Sequence, residues 1–248
     1  MRIAILADVH GNLPALEAVL AEVADEDFDL VVSAGDVVAG PQPRECLERL
    51  AALGDRIRWV MGNADREVVA AIDRAPALDE GDPAARSAHF AAARLEREHR
   101  DLLASFAPTV PVAEAGLLVC HGTPASDTAI VTPRTDPDAL AAIVGDVTEP
   151  TVVGGHVHLQ FLQRAGATQW VNAGSVGMPY EGAPGAYWLA LPGGGAAPDH
   201  RMTRYDVVAA ERAFRAAGYP DTDDVVAAIT GAVSREEALD AFSPRPEA

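Results

Sequence analysis

The chain has 248 residues, 49% of them hydrophobic and 23% charged, with a formal net charge of -18; that length suffices for one enzyme-sized domain with a well-buried core. The acidic surplus is scattered along the sequence and repels nucleic-acid duplexes and anionic membranes at long range, and no segment nears the ~20 uninterrupted apolar residues of a membrane helix. All 19 basic residues are arginines, which excludes a Schiff-base lysine and a phosphate-loop lysine.

Arg2 to Ala7 is a compact aliphatic run, and Pro14 to Ala24 carries Leu16, Val19, Leu20 and Val23 at helical spacing. This reads as strand, tight loop, helix. Ile3 to Ala7 is too short for a secretory core and runs directly into Asp8 and His10, so a cytoplasmic location is expected. Asp29 to Ala34 is a second apolar strand ending at Gly35-Asp36, Arg44 to Leu53 a second helix, and Ile57 to Met61 a third strand ending at Gly62-Asn63. Repeated strand-loop-helix units predict an α/β domain whose strands aim their C-terminal ends at one edge, where open sheets place their chemistry. From Arg66 to Phe106 the composition shifts to Ala, Arg and Glu at helical spacing, broken by the turn Asp79 to Pro83, and predicts a helical insertion over about 66–106. Strands return at Leu117 to Cys120, Thr151 to Val153, Phe161 to Ala165, Gln169 to Asn172 and Gly185 to Leu191, with glycine turns between several of them. Two amphipathic helices close a single domain spanning 1–248: Val207 to Ala217, and Asp223 to Phe242 with a break near Ser234, within about 207–242, before a frayed tail from Ser243. Cys46 and Cys120 fall in a helix and a buried strand, where two free thiols are expected in a reducing compartment.

The strand ends carry Asp8 and His10, Asp36, Asn63, His121, then His156 and His158. Any one of these alone reads as turn chemistry or a surface histidine. Turns, however, have no use for four histidines, and the set together reads as metal ligands. Imidazole with carboxylate suits manganese, iron, zinc or nickel rather than calcium or magnesium. Seven ligands are too many for one ion that keeps positions open for water, so two divalent transition metal ions sharing a carboxylate are expected, with Asp36 as the bridge. Paired metals would also let a small phosphate ester bind to a chain that is acidic overall.

The stretches "ADVHGNLPALEAVL", "GDVVAGPQP", "VCHGTP", "GGHVH" and "VNAGSVGMPYEG", with Gly62-Asn63-x-Asp65 between them, resemble the calcineurin-like metallophosphoesterase superfamily in its small bacterial, phosphodiesterase-like branch. The resemblance covers roughly residues 1 to 191. It implies a four-layer α-β-β-α sandwich with a dinuclear metal site at the strand C-terminal ends. It also implies one metal held by Asp8, His10, Asp36 and His158, and the other by Asp36, Asn63, His121 and His156, with manganese favoured among Mn, Fe, Zn and Ni. The activity implied is hydrolysis of a phosphodiester or phosphoanhydride by a metal-bridging hydroxide. Asp65 and Asn12 are placed beside the reaction, Asp65 to orient a neighbouring group and Asn12, with Asn172, Gly174 and Ser175, to hydrogen-bond ligands or substrate. For this second group, turn chemistry alone is an equal reading.

One position departs from the pattern. Many relatives have Gly-Asn-His-Asp where this chain has Gly-Asn-Ala-Asp, so Ala64 stands where those relatives carry the histidine taken to protonate the leaving group. General-acid help is worth ~10²–10⁴-fold, so substrates with stabilised leaving groups become the expected ones. His89 and His99 in the insertion are weak candidates for a replacement acid, and Arg44 and Arg66 for phosphate contacts, although solvated arginines are commoner. The missing acid also leaves open a catalytically weak or inactive metal-binding scaffold for protein partners; retention of the whole ligand set opposes it.

Overall fold

In the first strand Ile3 and Ile5 turn to one side and Ala4 and Leu6 to the other, and all four are fully buried. A strand with two apolar faces must lie between two covering layers. The computed structural model describes residues 1–74, 78–194 and 196–243.

Two five-stranded mixed sheets form the centre. The first contains β1 (Ile3–Leu6), β2 (Leu30–Ser33), β3 (Ile57–Trp59), β9 (Ala186–Leu191) and β10 (Asp199–Thr203) in the order β10-β9-β1-β2-β3. β1, β2 and β3 are parallel, with Ile5 opposite Val32 and Val32 opposite Arg58; β9 runs antiparallel to β1. The second contains β4 (Thr109–Val112), β5 (Leu117–Cys120), β6 (Thr151–Gly154), β7 (Gln160–Ala165) and β8 (Thr168–Ala173) in the order β4-β5-β6-β8-β7. Here β5, β6 and β8 are parallel and the two edge strands antiparallel. Ile3, Ile5, Leu30 and Val32 of one sheet pack with Leu117, Val119, Val153 and Val171 of the other, so the sheets stack face to face.

Helices cover the outer faces. α1 (Leu13–Asp25) and α2 (Pro43–Ala51) bury Leu16, Val19, Leu20, Leu47 and Leu50 with Trp188 on the first sheet. α6 (Pro137–Val144) and α9 (Arg235–Phe242) cover the second, with Leu140, Val144 and Ala238 against Trp170 and Phe161. The result is the α-β-β-α sandwich expected from the motifs. α3 (Asn63–Ile72), α4 (Pro83–Ala92) and α5 (Arg97–Leu103) lie within or beside the stretch read as a helical insertion, and α7 (Val207–Ala217) and α8 (Thr222–Ile229) follow the last strand. These two groups meet: Phe90 of α4 packs edge-on against Tyr219, Tyr219 donates its hydroxyl to Ser87, and Arg86 pairs with Asp221 at 2.6 Å. The expected break near Ser234 separates α8 from α9, where Ser234 caps α9. Of the tail read as frayed, residues 244–248 lie outside the described residues, as do 75–77 of the insertion. Cys46 and Cys120 are free and buried.

Three elements go beyond the sequence pattern. β4 is an edge strand with an exposed proline, Pro111, which an edge tolerates and which hides the strand in the sequence. β10 is a polar edge strand, Asp199 to Thr203, with little alternation to read. α6 has a helix-start signal in Asp136, whose side chain accepts from the amides of Asp138 and Ala139, followed by Pro137 at the first position.

Because Ile5 is fully buried between the sheets, Ile5→Ala is expected to lower unfolding free energy by about 2–5 kcal/mol in urea titrations. A loss below about 1 kcal/mol would mean that the sheets do not stack on this residue.

Candidate metal centre

The loop after β1 and the loop after β2 are zipped together by backbone bonds from Asp8 N to Gly35 O, His10 N to Asp36 O and Gly11 N to Val37 O, each 3.0 Å. Parallel neighbouring strands therefore deliver Asp8, His10 and Asp36 to one place. Gly155 N to His121 O (2.8 Å) ties the loops after β5 and β6 in the same way, and His156 N donates to Asp8 Oδ2 at 3.0 Å, joining the two sheets. Asp8, His10, Asp36, His156 and His158 all have positive φ, between 44° and 70°. Aspartate and histidine tolerate this left-handed region better than most residues, but it remains strained for any residue with a Cβ.

Two groups of ligand atoms result: Asp8 with His10 and His158, and Asp36 with His121 and His156, the atoms of each group lying within 4.8 Å of one another. Asp36 Oδ2 lies 3.3 Å from His121 Nε2 and 3.8 Å from His10 Nε2, so one carboxylate oxygen faces both groups. The other oxygen of Asp36 accepts from the Ala64 amide at 2.9 Å. Asn63 Oδ1 approaches His121 Nε2 at 3.1 Å, which brings the seventh sequence-predicted residue beside the second group. Asn63 is the first residue of α3 and follows Gly62, which packs against the loop after β2: an added Cβ there would sit 2.1 Å from Asp36 Oδ1.

His10, His121 and His158 each direct Nδ1 at a backbone carbonyl: Ala39 at 2.9 Å, Ala34 at 2.8 Å and Met178 at 2.6 Å. Each Nδ1 then donates its hydrogen, leaving the Nε2 lone pair pointing into the site. Between His10 and His158 the two Nε2 atoms are 3.2 Å apart, and Asp8 Oδ1, 3.3 Å from His158 Nε2, is buried without a hydrogen-bond partner. Ring nitrogens and an orphaned carboxylate oxygen converging in a buried site are a donor set suited to a cation. Without an ion, the Nε2 of His121 takes a proton instead. Burial opposes protonation of His121, yet the Asp36 carboxylate raises it to about 10; burial likewise opposes ionisation of Asp36, which His121 nevertheless holds below the usual carboxylate range.

Asp65 and Asn12 lie behind this site, not at its open face. Asp65 is fully buried and accepts from the amides of Asp36 (2.8 Å), Val37 (2.9 Å) and Val38 (3.2 Å), gripping the loop that carries Asp36. Burial, then the charge of Asp36, raises its carboxyl to about 7. Asn12 caps α1 through the Ala15 amide and donates to Gly177 O at 2.9 Å. Asn172 donates to Gly155 O at 2.6 Å and Ser175 to Asp8 O at 2.8 Å, so both brace ligand loops through the backbone. The acid candidates in the insertion are elsewhere: buried His99 accepts from the Glu96 amide and approaches Glu48, and His89 lines a separate surface hollow. Arg44 pairs with Glu48 and Glu96, and Arg66 with Asp127, so neither reaches the ligands.

The ligand groups open into a cleft of about 450 Å³. Ala64 and half-buried Glu67 of α3 line it near the ligands, with Met178 and Tyr180 from the loop after β8. Tyr180 stacks on His158, ring centroids 4.7 Å apart and planes at 20°. The far wall comes from Ser87 of α4, Tyr219, Asp221 and Asp224 beside and on α8, and Phe242 of α9. Sequence reasoning passes over Glu67, Tyr219, Asp224 and Phe242, since nothing in their local spacing ties them to strand ends about sixty or more residues away, or, for Glu67, distinguishes it from helix surface.

Comparison with known proteins agrees with this geometry. The calcineurin-like phosphoesterase superfamily domain matches residues 1–191. Phosphodiesterase YfcE of Escherichia coli K12 is 27% identical over 199 residues, 76% of this chain and 86% of its own. The symmetrical bis(5'-nucleosyl)-tetraphosphatase of Klebsiella pneumoniae is 41% identical over 68 residues, and the match spans about a quarter of that relative's length (24%). Among solved structures, a metallophosphoesterase from Sphaerobacter thermophilus superposes with a TM-score of 0.76 at 27% identity, covering 93% of this chain and 99% of its own. A hypothetical protein from Pyrococcus horikoshii OT3, at 18% identity, shares the fold with a TM-score of 0.79 over 92% of this chain and 97% of its own. With its strand-end ligands, its stacked mixed sheets and a domain match over 191 of its residues, the chain belongs to the calcineurin-like phosphoesterase superfamily.

Proposed function

We propose that the chain is a dinuclear metal-dependent phosphoesterase that hydrolyses a phosphodiester or a phosphoanhydride. The observation that carries this reading is the Asp36 carboxylate oxygen facing both ligand groups at 3.3 and 3.8 Å, inside a cleft. Asp8, His10, Asp36 and His158 would hold one divalent ion, and Asp36, Asn63, His121 and His156 the other, with manganese favoured. When bound, such ions offset the charge of phosphoryl oxygens and lower the pKa of water toward neutrality.

The chain's own residues set up the rest. His10, His121 and His158 are locked by their carbonyl partners with Nε2 inward, so they serve as ligands and not as mobile bases. Asp65 and Asn12 act as positioning residues: Asp65 fixes the three amides after Gly35, and Asn12 ties the loop after β1 to Gly177. Ala64 lines the cleft beside Asn63 and carries no proton, so the departing oxygen leaves without help from that position. Diesters of acidic alcohols and anhydrides tolerate this loss best. The relatives point the same way, one being named a phosphodiesterase and another a tetraphosphatase. The C-terminal helices supply Asp224 and Phe242 to the cleft, which supports reading 1–248 as one domain. Ala64 also favours a scaffold that binds protein partners; the intact pair of ligand groups and the cleft they open into weigh against it.

The test is hydrolysis of an aryl phosphodiester, the matching monoester and a dinucleoside polyphosphate by protein stripped of metal and refilled separately with Mn, Zn, Ni or Fe. Turnover is expected to return with metal and to favour the diester or anhydride; protein that binds two ions per chain and turns over none of them would leave the scaffold reading. Asp36→Ala and His156→Ala should each lower metal-dependent turnover at least 10³-fold with an unchanged circular dichroism spectrum, since each removes a ligand without touching the inter-sheet core. Near-native rates in either would overturn the ligand assignment. Ala64→His should raise kcat on esters of simple alkyl alcohols by about 10²-fold while changing aryl diesters much less, because only the poor leaving group needs the proton. Equal gains on both classes would contradict the reading of Ala64 as a missing acid.

A further inference from the structure

The cleft has a chemical asymmetry that bears on which phosphate ester it takes. At one end stand the two ligand groups. Elsewhere its described lining holds no arginine, and this chain has no lysine at all, so no permanently cationic side chain meets an anion there. Arg86, the arginine closest in sequence to the lining residues of α4, is spent on Asp221 at 2.6 Å and faces a separate hollow. Glu67 and Asp224 line the cleft and form no ion pair among the described residues. The N-terminal turn of α8 also borders the cleft, and a helix N-terminus ordinarily welcomes an anion. Here that turn already carries Asp223 and Asp224 behind Asp221, which occupy its favourable potential with the protein's own carboxylates. The remaining wall is aromatic: Tyr180 stacked on His158, Phe242 with its ring 6.3 Å from that of Tyr180, and Tyr219. Aromatic faces attract cations and repel anions.

We propose that this cleft selects phosphodiesters carrying a single phosphate whose second alcohol is cationic or neutral, and discriminates against substrates bearing a further anionic group, nucleoside polyphosphates included. The inference rests on the phosphoesterase reading of the metal centre and narrows it from diester or anhydride to diester. A tetraphosphate linking two nucleosides would place several charges beyond the reacting phosphate, against Glu67, Asp224 and three aromatic rings with no cation to meet them. A choline or aminoalcohol ester would place its ammonium where those groups are.

Three p-nitrophenyl phosphodiesters that differ only in the second alcohol test this: choline (cationic), ethanol (neutral) and 3-hydroxypropionate (anionic). All share one reacting phosphate and one leaving group, so differences in kcat/KM report the far wall. On the manganese-loaded protein the order should be choline, then ethanol, then hydroxypropionate, with at least a tenfold gap between the last two that shrinks as salt is added. Asp224→Arg should narrow or reverse that gap, and Asp224→Asn should narrow it less; thermal melts identify any variant that fails to fold. An anionic ester turned over as well as the neutral one, or a gap unmoved by Asp224→Arg in folded protein, would overturn the proposal. If the loaded protein turns over none of the three, the phosphoesterase reading fails separately, and calorimetric affinities for the same esters still decide the charge preference: the same order supports it and equal affinities refute it.

Discussion

Two imidazoles meet nitrogen to nitrogen at 3.2 Å beside a buried carboxylate oxygen that has no partner, and the architecture around them exists to hold that arrangement. Each element of it is unfavourable alone. The rings of His10 and His158 cannot rotate away because their Nδ1 atoms are committed to the Ala39 and Met178 carbonyls. The Asp8 carboxylate cannot turn to water because it is fully buried, with its other oxygen on the His156 amide. The backbone adds its own cost, since five of the candidate ligand residues sit in the left-handed region at about 1–2 kcal/mol each. Set against a typical net stability of about 5–15 kcal/mol, strain of that size survives only where the surroundings over-determine it. The stacked sheets do this: the parallel strands β1 and β2 are in register up to Leu6 and Ser33, and the loops beyond them stay paired amide to carbonyl.

That constraint explains why so much of the site is legible in the sequence. An aspartate or histidine directly after an apolar strand, next to glycine, is what a left-handed ligand loop requires, because these side chains tolerate the conformation and glycine allows the next strand to come close. Gly35 shows the second half: with φ at 94°, an added Cβ there would lie 2.6 Å from His121 Nδ1. Strand, loop and ligand are encoded together within a few residues, so local reading recovers them. Asp65 belongs to the same local code, since the Gly-Asn-x-Asp spacing puts a carboxylate in the first turn of α3, within reach of the Asp36 loop. Asn12 is less legible: the sequence offers cap or substrate contact equally, and the structure spends both ends of its amide on the α1 cap and on Gly177.

The cleft walls are not legible in that way, for a reason that is also physical. Tyr219, Asp224 and Phe242 lie on or beside helices whose local pattern reports only an amphipathic face, and what they face depends on how α4 docks on α7 and α8. That docking is made by single contacts far apart in sequence: Phe90 on Tyr219, Ser87 with the Tyr219 hydroxyl, Arg86 with Asp221. None has a spacing that a sequence pattern could reveal. His89 and His99 illustrate the opposite error. Helical spacing makes them look like partners at a site, yet His99 is a capping residue of α5 and His89 opens onto another surface.

The arginines complete the division of labour. In a lysine-free chain with a charge of -18 they are the side chains that carry permanent positive charge, and several of them are spent on carboxylates that join one element to another. Arg86 joins α4 to Asp221, Arg100 of α5 reaches Asp73 past the end of α3, and Arg235 of α9 grips Glu181 beside Tyr180. Exposed pairs of this kind add little stability singly; their consequence is positional, because a guanidinium fixed on a carboxylate is not free to follow a phosphate. Within the cleft, whose described lining holds no arginine, affinity for an anion would therefore centre on the point where Asp8, Asp36 and the histidines converge. On the proposed reading, removing metal from such a site would take away phosphate binding along with reactivity, whereas a phosphatase with arginine clamps would keep its substrate and lose only its rate.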